Sequence, residues 1–334
     1  MSPLPSSPVH RAVTSLLAVG ASVGLLGVGC VIPPGPGPGG STTTTTPPPG
    51  MTPGNPGASD VAFTIAAADG HVISPLIYGV NGAQGIATNR QTAVRMGGNR
   101  WTAYNWENNA SNAGSDWCFQ NDGFLSGSNT PGAAVTATVD QAQAAGATAI
   151  LTIPIVDHVA ADKNGGCDVR NSGSDYLTTR FQQNEHTKPS GLTTNPNGTD
   201  DFVYQDEYVN WLKTTQSDGQ IIFSLDNEPD LWAHTHAEVH PSAVSYAELV
   251  ERNVDFAKAI KRVWPEATVA GPVNYGFWGT ETLQSAPDAG ANGNFLDYYL
   301  TQMANAHAAN GKRLVDYLDI HWYPEATGGG VRVT

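Results

Sequence analysis

Short apolar, β-prone segments alternate with helical segments along most of this chain, and this alternation is the feature that most constrains its fold. Six such strands end at Tyr78, Arg95, Pro154, Asn227, Val273 and His321. Alternating strands and helices are typical of parallel β/α units. A closed (β/α)8 barrel needs eight strands and about 250 residues. We therefore expect an α/β fold, a TIM-like barrel that is incomplete, with about six β/α units.

Four segments between these strands have helical periodicity. In the clearest, Tyr246 to Trp264, apolar residues recur at three- and four-residue spacing, and Pro265 ends the pattern. Thr138 and Gln141 form a capping box for an Ala-rich helix that stops at Gly146. The other two helices are predicted at Asp206–Thr215 and Phe295–Ala309.

The charge balance excludes one class of partner. The chain has 334 residues, with 16 Lys and Arg against 30 Asp and Glu, and its net charge at pH 7 is -14. Because a polyanion repels nucleic acid and anionic membrane surfaces, we expect neither as a partner. The 8 Trp and 11 Tyr suit a secreted protein that stacks sugar rings, although ordinary core packing explains most of them equally well.

The N-terminus has the pattern of an export signal. His10 and Arg11 precede an apolar run from Ala12 to Val28, which is typical of a signal peptide rather than a membrane span. The sequence ending at Cys30 is similar to a bacterial lipoprotein cleavage box. We expect a lipidated cell-surface protein, with simple export to the periplasm or medium as the alternative. Its membrane contact is then the lipid anchor alone.

Three regions follow from this pattern. A lipoprotein-type signal peptide is predicted at 1–30, a Pro-, Gly- and Thr-rich linker at 31–58, and the partial barrel at 59–334. If Cys30 carries a lipid, Cys118 and Cys167 remain as a pair in an oxidising compartment. We expect a disulfide between them, and metal binding by two lone cysteines is the weaker alternative.

The segment from Ile221 to Pro229 carries the strongest chemical signal. A mostly apolar strand leads directly into Asp226, Asn227 and Glu228, and Pro229 ends it. Parallel-barrel enzymes place catalytic groups at this end of a strand. We predict that Glu228 is a general acid/base in a polysaccharide hydrolase. The alternative is a structural ion pair between Glu228 and a buried arginine such as Arg95.

Five stretches within residues 72–330 share the motifs of one enzyme family: Gly97–Arg100, Tyr104–Trp117, Ala160–Lys163, Phe223–Trp232 and Asp319–Glu325. Together they resemble glycoside hydrolase family 44, endoglucanases and xyloglucanases with a barrel and a small β-sandwich. The resemblance implies a retaining endo-β-1,4-glucanase that acts on cellulose-like polysaccharide or xyloglucan and requires no cofactor. Glu228 matches the family's acid/base, and Asn227 matches the residue that hydrogen-bonds the sugar 2-hydroxyl.

The resemblance also implies a nucleophilic glutamate at the end of a seventh strand. Its Thr-Glu-Tyr-like motif does not occur in this sequence, so we expect the nucleophile and most of the β-sandwich to be missing, as in a C-terminally truncated member. Asp157, Asp226 and Glu325 are poor substitutes. Two alternatives stay open: a non-catalytic surface carbohydrate-binding protein, and a β-mannanase or xylanase of another barrel family.

Several other residues are expected near the cleft. His321 and Tyr323 alternate on one strand face and are predicted to line it, with Arg95 hydrogen-bonded to the nucleophile. Five tryptophans follow strand ends, where aromatic platforms for sugar rings belong: Trp101, Trp106, Trp117, Trp232 and Trp278. We favour Trp106 and Trp232 as sugar contacts. Packing roles are expected for Trp211, Trp264 and Trp322.

Two further features concern metals and assembly. His234, His236 and His240 form a short cluster, which we expect to be a polar rim of the cleft rather than a zinc site. Members of the family can hold a divalent ion, and the resemblance therefore leaves room for a structural calcium that uses Glu107 or Asp162. The chain is expected to be a monomer.

Overall fold

The structure is a computed structural model that describes residues 70–216, 220–324, 326–328 and 331–333. The predicted signal peptide, Cys30 and the predicted linker lie outside these residues, as does Glu325. Within the described part of the chain, no helix combines the length and the apolar character that a membrane crossing needs.

The strands are β1 (Gly79–Asn81), β2 (Ala93–Met96), β3 (Ser111–Asn112), β4 (Asn121–Asp122), β5 (Thr148–Ile153), β6 (His158–Ala160), β7 (Phe181–Glu185), β8 (Phe202–Tyr204), β9 (Ile221–Leu225), β10 (Thr268–Tyr275), β11 (Tyr317–His321), β12 (Ala326–Gly328) and β13 (Val331–Val333). The α-helices are α1 (Ile86–Asn89), α2 (Asn99–Thr102), α3 (Ala133–Ala144), α4 (Tyr176–Thr179), α5 (Gln205–Thr215), α6 (Trp232–Thr235), α7 (Tyr246–Val263), α8 (Gly276–Thr282), α9 (Ala289–Asn292) and α10 (Phe295–Asn310). Short 3-10 helices lie at Pro75–Ile77, Gly114–Trp117, Val169–Ser172 and Pro229–Leu231.

Six parallel strands form the central sheet, in the order β1-β2-β5-β9-β10-β11. Spatial order follows chain order, and the longer helices α3, α5, α7 and α10 lie between successive strands in the sequence. The sheet curls into part of a barrel, which confirms the predicted incomplete barrel of six β/α units. Because all six strands are parallel, their carboxyl ends lie along the same edge, where barrel enzymes build their active sites.

Strand β9 lies inside this sheet, and all five of its residues are buried. A strand covered on both faces has no polar face, which explains the nearly continuous apolar run. Ser245 caps the start of helix α7, and its hydroxyl accepts a hydrogen bond from the Glu248 amide at 3.1 Å. Its buried side includes Leu249, Phe256 and Ile260, as the periodicity predicts.

Helix α3 begins earlier than the sequence predicts. The capping box proposed at Thr138 is wrong, because Thr138 lies inside a helix that starts at Ala133. Gly132 precedes the helix with φ of 68°, and the Ala134 amide donates to Asn109 Oδ1 at 2.9 Å. The cap therefore comes from a side chain 25 residues away, which local sequence cannot reveal.

Smaller sheets extend from the carboxyl edge of the central sheet. Strands β3 and β4 form an antiparallel hairpin, and β6, β7 and β8 form a three-stranded sheet. Cys118 and Cys167 are joined by a disulfide, with their Cα atoms 5.3 Å apart. These small sheets lie in the segments that follow β2 and β5 in the chain.

Candidate active site

The chain turns sharply where β9 ends. Asp226 and Glu228 both have positive φ, 75° and 53°, a conformation that non-glycine residues adopt only when the surroundings enforce it. The Glu228 amide donates to the Val273 carbonyl at 3.0 Å, which fixes the turn to the end of β10. Pro229 then opens the 3-10 helix. The result is a side chain of Glu228 that leaves the strand direction and turns toward β11.

The buried carboxylate of Asp226 holds this turn in place through hydrogen bonds. Its carboxylate is fully buried and accepts hydrogen bonds from the Ile155 amide at 2.7 Å, the Thr102 hydroxyl at 2.7 Å and the Asn227 amide at 2.8 Å, with the Trp232 indole at 3.3 Å. Burial raises the pKa of Asp226, and these donors oppose that rise. A carboxylate with four donors and no exposed surface cannot attack a sugar, so Asp226 has a positioning role.

Glu228 receives two hydrogen bonds on a single oxygen. Its Oε1 lies 2.6 Å from His321 Nδ1 and accepts from the Tyr323 hydroxyl at 2.9 Å. Burial, followed by the contact with Glu228, raises the pKa of Tyr323 to about 12, so its hydroxyl keeps its proton and donates. Among the described residues, Oε2 has no hydrogen-bond partner. That oxygen is left for a proton and for the substrate.

The neighbouring groups determine which nitrogen of His321 carries the proton. Arg95 Nη2 lies 3.1 Å from His321 Nε2, and a guanidinium can only donate. His321 Nε2 therefore accepts, the proton resides on Nδ1, and Nδ1 donates to Glu228. The chain Arg95–His321–Glu228 thus places positive charge behind the carboxyl group without a direct ion pair. The predicted alternative, a direct ion pair between Glu228 and Arg95, is wrong, because the Arg95 guanidinium contacts Asn227 and His321 instead.

Arg95 also orients Asn227. Its Nη2 donates to Asn227 Oδ1 at 2.7 Å, and the Gly98 amide donates to the same oxygen at 3.0 Å. With Oδ1 occupied, the amide nitrogen of Asn227 is the atom available to a ligand. Burial lowers the pKa of Arg95, and the charges of Asp319 and Glu228 oppose this. A Cβ atom at Gly97 would overlap the guanidinium group, which explains the glycine there.

The two tryptophans predicted as sugar platforms are buried. Trp106 has no exposed surface and stacks on Tyr208 with ring centroids 5.3 Å apart. Trp232 is equally buried, and its indole nitrogen points at Asp226. Neither ring has a face open to a ligand, so the prediction that they contact sugar is wrong. They are part of the core beneath the site.

Other aromatic rings lie exposed at the strand ends, where Trp106 and Trp232 are predicted from the sequence. Five of them line a cavity of about 350 Å³ at the ends of β10 and β11: Tyr275, Phe277, Trp278, Trp322 and Tyr323. We call this the aromatic pocket. Trp322 was expected to pack in the core, yet 56% of its surface is exposed, and Trp278 is 62% exposed. A signal for Trp278 was present in the sequence, because Gly-Phe-Trp follows the last residue of β10 directly.

Two of the three clustered histidines, His236 and His240, are buried and do not form the predicted cleft rim, whereas His234 is exposed. His236 is fully buried between Glu238 and the Asn99 carbonyl, with contacts of 2.7 and 2.8 Å. His240 Nε2 lies 2.9 Å from Glu248 Oε1. These contacts bind the segment after Glu228 to its surroundings. Among the described residues, no three carboxylate, histidine or cysteine groups come together as metal ligands.

Glu107 and Asp162 line one cavity, as a shared calcium site requires. Both oxygens of Asp162 are engaged by Arg180, at 2.7 and 3.0 Å. Glu107 Oε2 is buried without a hydrogen-bond partner, and burial raises the pKa of Glu107 to about 8. Calcium uses six to eight oxygens. With both oxygens of Asp162 engaged by Arg180, the two residues offer only the oxygens of Glu107, so the structural calcium stays a prediction and no step of the chemistry depends on one.

Comparison with known proteins identifies the family and two of its relatives. Residues 110–326 match the family model of glycoside hydrolase family 44. The chain is 44% identical over 298 residues to endoglucanase A of Paenibacillus lautus, covering 84% of this chain and 42% of the relative. It is 40% identical over 278 residues to β-mannanase/endoglucanase A of Caldicellulosiruptor saccharolyticus, covering 78% of this chain and 20% of that protein.

Solved structures of the same family also superpose on this chain. A family 44 xyloglucanase from Paenibacillus polymyxa, determined with xyloglucan, superposes with a TM-score of 0.73 at 43% identity, covering 78% of this chain and 54% of the other. A family 44 endoglucanase from Clostridium thermocellum gives 0.72 at 41% identity, with 78% and 53% covered. The chain thus spans less than half of these curated relatives and about half of these solved structures. It belongs to glycoside hydrolase family 44.

Proposed function

We propose that the protein is a retaining endo-β-1,4-glucanase that hydrolyses cellulose-like polysaccharide or xyloglucan, with Glu228 as its acid/base. The observation that carries this proposal is the asymmetry of the Glu228 carboxyl group. Oε1 is held by two donors, from His321 and Tyr323, while Oε2 has no hydrogen-bond partner in the part of the chain that the structure describes. The names of the relatives, an endoglucanase and a xyloglucanase, support the choice of substrate.

In the first step, the proton on Glu228 Oε2 passes to the glycosidic oxygen as the bond from that oxygen to C1 breaks. A second carboxylate attacks C1 and forms a glycosyl-enzyme. In the second step, the Glu228 carboxylate takes a proton from water, and the water oxygen displaces the enzyme carboxylate from C1. His321 and Tyr323 hold Oε1 throughout, so the same oxygen releases and recovers the proton.

We place the attacking carboxylate outside the described residues. The nearby candidates are committed elsewhere, since Asp226 is buried with four donors and Asp157 pairs with Arg252 at 2.7 Å. Asp230 is also buried, and both of its oxygens accept from the Tyr275 amide at 2.9 and 3.1 Å. Retention needs two carboxyl groups about 5–5.5 Å apart, so the partner belongs at the open side of the sheet, beyond β11.

The organisation proposed for the whole chain is a lipoprotein-type signal peptide at 1–30, a linker at 31–58 and the catalytic barrel from 59 onward. In this proposal a lipid on Cys30 holds a monomeric enzyme at the cell surface, with release as a secreted or periplasmic protein as the alternative. Mass spectrometry of the protein isolated from membranes tests this directly. An unmodified N-terminus at any residue other than Cys30 would contradict lipidation.

The acid/base role is tested by Glu228→Gln in the full-length enzyme. Turnover of xyloglucan and carboxymethyl cellulose should fall about 10²–10⁴-fold, because a carboxamide cannot donate the proton. An aryl glycoside with an acidic phenol needs no protonation, so its glycosyl-enzyme still forms. Added azide needs no base and should restore release as the β-glycosyl azide. Glu251→Gln, on the exposed side of α7, is the matched control and should keep full activity.

Three outcomes separate the alternatives. Loss of turnover without azide rescue contradicts the acid/base role and indicates a structural one. If the unmodified full-length protein binds these polysaccharides and releases no reducing ends, it is a binding protein. Because one relative is named β-mannanase/endoglucanase, mannan is included as a third polymer. Faster release from mannan than from both glucans would overturn the choice of substrate.

A further inference from the structure

The buried side chain of His236 lies between two hydrogen-bond acceptors. Its Nδ1 is 2.7 Å from Glu238 Oε1, and its Nε2 is 2.8 Å from the Asn99 carbonyl oxygen. A carbonyl oxygen only accepts, so Nε2 must carry a proton. Glu238 is also buried, and among the described residues no donor other than His236 reaches its carboxyl group. Nδ1 must therefore be protonated as well, which makes the ring an imidazolium.

The charges around the ring stabilise this form. Burial by itself lowers the pKa of His236, but the charge and hydrogen bond of Glu238, the Asn99 carbonyl and the charge of Asp226 outweigh burial, and the pKa is raised above its usual value. A buried ion pair contributes little net stability compared with apolar side chains of the same size. An ion pair at this position therefore points to a need for fixed geometry.

The carbonyl held by this imidazolium belongs to α2, the helix that supports both residues before the acid/base. The amide of Gly98, just before this helix, donates to Asn227 Oδ1 at 3.0 Å. The Thr102 hydroxyl, at its other end, donates to Asp226 Oδ1 at 2.7 Å. A helix of four residues is too short to be stable on its own. Its position, and with it the orientation of Asn227, depends on contacts from outside the helix.

His236 connects this helix to the segment that follows the acid/base. The chain leaves Glu228 through a 3-10 helix and α6, and His236 comes directly after α6. Its amide donates to the Trp232 carbonyl at 2.8 Å, which fixes the backbone there. A Cβ atom on Gly114 would overlap the Thr235 carbonyl and crowd the His236 ring, so the ring has no room to move. The two sides of the acid/base turn are thus joined through one imidazolium.

We propose that His236 is a positioning residue for substrate binding: its Nε2–H holds the Asn99 carbonyl, fixes α2 and so aims the Asn227 amide at the sugar. The inference rests on the proposed function and adds to it a residue that touches no substrate. Asn227 matches the family residue that hydrogen-bonds the sugar 2-hydroxyl. Loss of the contact between His236 and Asn99 should therefore weaken recognition of that hydroxyl.

Two substitutions separate the roles of the two ring nitrogens. The amide nitrogen of His236→Gln falls near the position of Nε2 and keeps the donor to the Asn99 carbonyl. The amide nitrogen of His236→Asn falls near the position of Nδ1, so it keeps a donor to Glu238 and loses the one to Asn99. Both remove the positive charge, so the difference between them reports the Asn99 contact. His240→Asn is the matched control, because His240 is a buried histidine of the same segment that contacts Glu248 instead.

Turnover is measured in the full-length enzyme with dinitrophenyl β-cellotrioside and with its analogue that lacks the 2-hydroxyl on the sugar next to the phenol. This leaving group needs no protonation, so the acid role of Glu228 does not enter the comparison. The ratio of the two kcat/KM values reads the 2-hydroxyl contact. In His236→Asn the ratio should fall about five- to tenfold, the effect of one misplaced hydrogen bond. His236→Gln and His240→Asn should keep the ratio within about twofold of the parent.

A second measurement does not depend on turnover. Hydrogen–deuterium exchange of the peptide 97–103 should be faster in His236→Asn and equal to the parent in His236→Gln. Equal ratios or equal exchange in these two variants would overturn the proposal. A folded His236→Gln enzyme that loses the 2-hydroxyl preference would also overturn it, even where His236→Asn does not fold. A parent that cleaves neither glycoside contradicts the proposed function, and the exchange then decides by itself whether His236 holds α2.

Discussion

Two pairs of tryptophans follow strand ends in this fold, and they differ in how far their side chains are buried. Trp106 and Trp232 are fully buried, whereas Trp278 and Trp322 are 62% and 56% exposed. The segment that contains Trp106 is long and folds back through the β3–β4 hairpin, so its rings become core. The segment after β10 enters α8 at once and leaves its rings at the surface. Position after a strand end therefore does not by itself decide whether a tryptophan is buried or exposed, since Trp232 is buried although it follows β9 in a short segment, as Trp278 follows β10.

The largest expected effect separates the two pairs by stability. Trp232→Ala should lower the free energy of unfolding by about 3–5 kcal/mol, because it opens a cavity and leaves one donor fewer for Asp226. Trp278→Ala should change it by no more than about 0.5 kcal/mol. Urea unfolding of both variants and of Trp117→Ala provides the comparison. Similar losses of unfolding free energy in the Trp232 and Trp278 variants would contradict the difference in burial.

The position of the catalytic edge was predictable from the sequence, because alternation gives parallel strands and parallel strands share one carboxyl edge. The Ile221–Leu225 run was sufficient to place Glu228 there. Side-chain depth was not predictable, since the burial of Trp106 depends on Tyr208, a residue of a different β/α unit. The same holds for the contact of Arg95 with His321, which are 226 residues apart. Strand order brings such pairs near each other without specifying which atoms meet.

Asp230 connects the buried turn to the exposed aromatic pocket, and its protonation should appear in the stability of the fold. Burial raises the pKa of Asp230 to about 7. A carboxyl group with a raised folded-state pKa stabilises most at low pH, and this stability is lost as the pH rises through about 7. Between pH 5 and pH 8 the free energy of unfolding should fall by about 3 kcal/mol on this account, about 1.4 kcal/mol for each pH unit between 5 and 7.

Asp230→Asn keeps an acceptor for the Tyr275 amide and removes the titration, so its unfolding free energy should vary less over the same pH range. Thermal and urea unfolding at several pH values measure the slope. Asp140→Asn, on the exposed side of α3, is the control and should keep the slope of the parent. An undiminished slope in Asp230→Asn would assign the pH dependence to another group.

The smallest expected effect lies at the point where the pocket meets the acid/base. Tyr323→Phe keeps the ring packed on Tyr275 and removes only the hydroxyl that donates to Glu228 Oε1. One hydrogen bond of this kind contributes about 1–1.5 kcal/mol, so kcat on xyloglucan should fall about five- to tenfold.

Tyr275→Phe removes a hydroxyl that has no partner among the described residues, and it should leave kcat unchanged. The cellohexaose Kd of Tyr323→Phe in the Glu228→Gln background should also stay within about twofold, since the aromatic face remains. A weakened Kd with normal kcat would mean that Tyr323 acts as a sugar contact alone. In that case the aromatic pocket and the acid/base would be adjacent without being coupled.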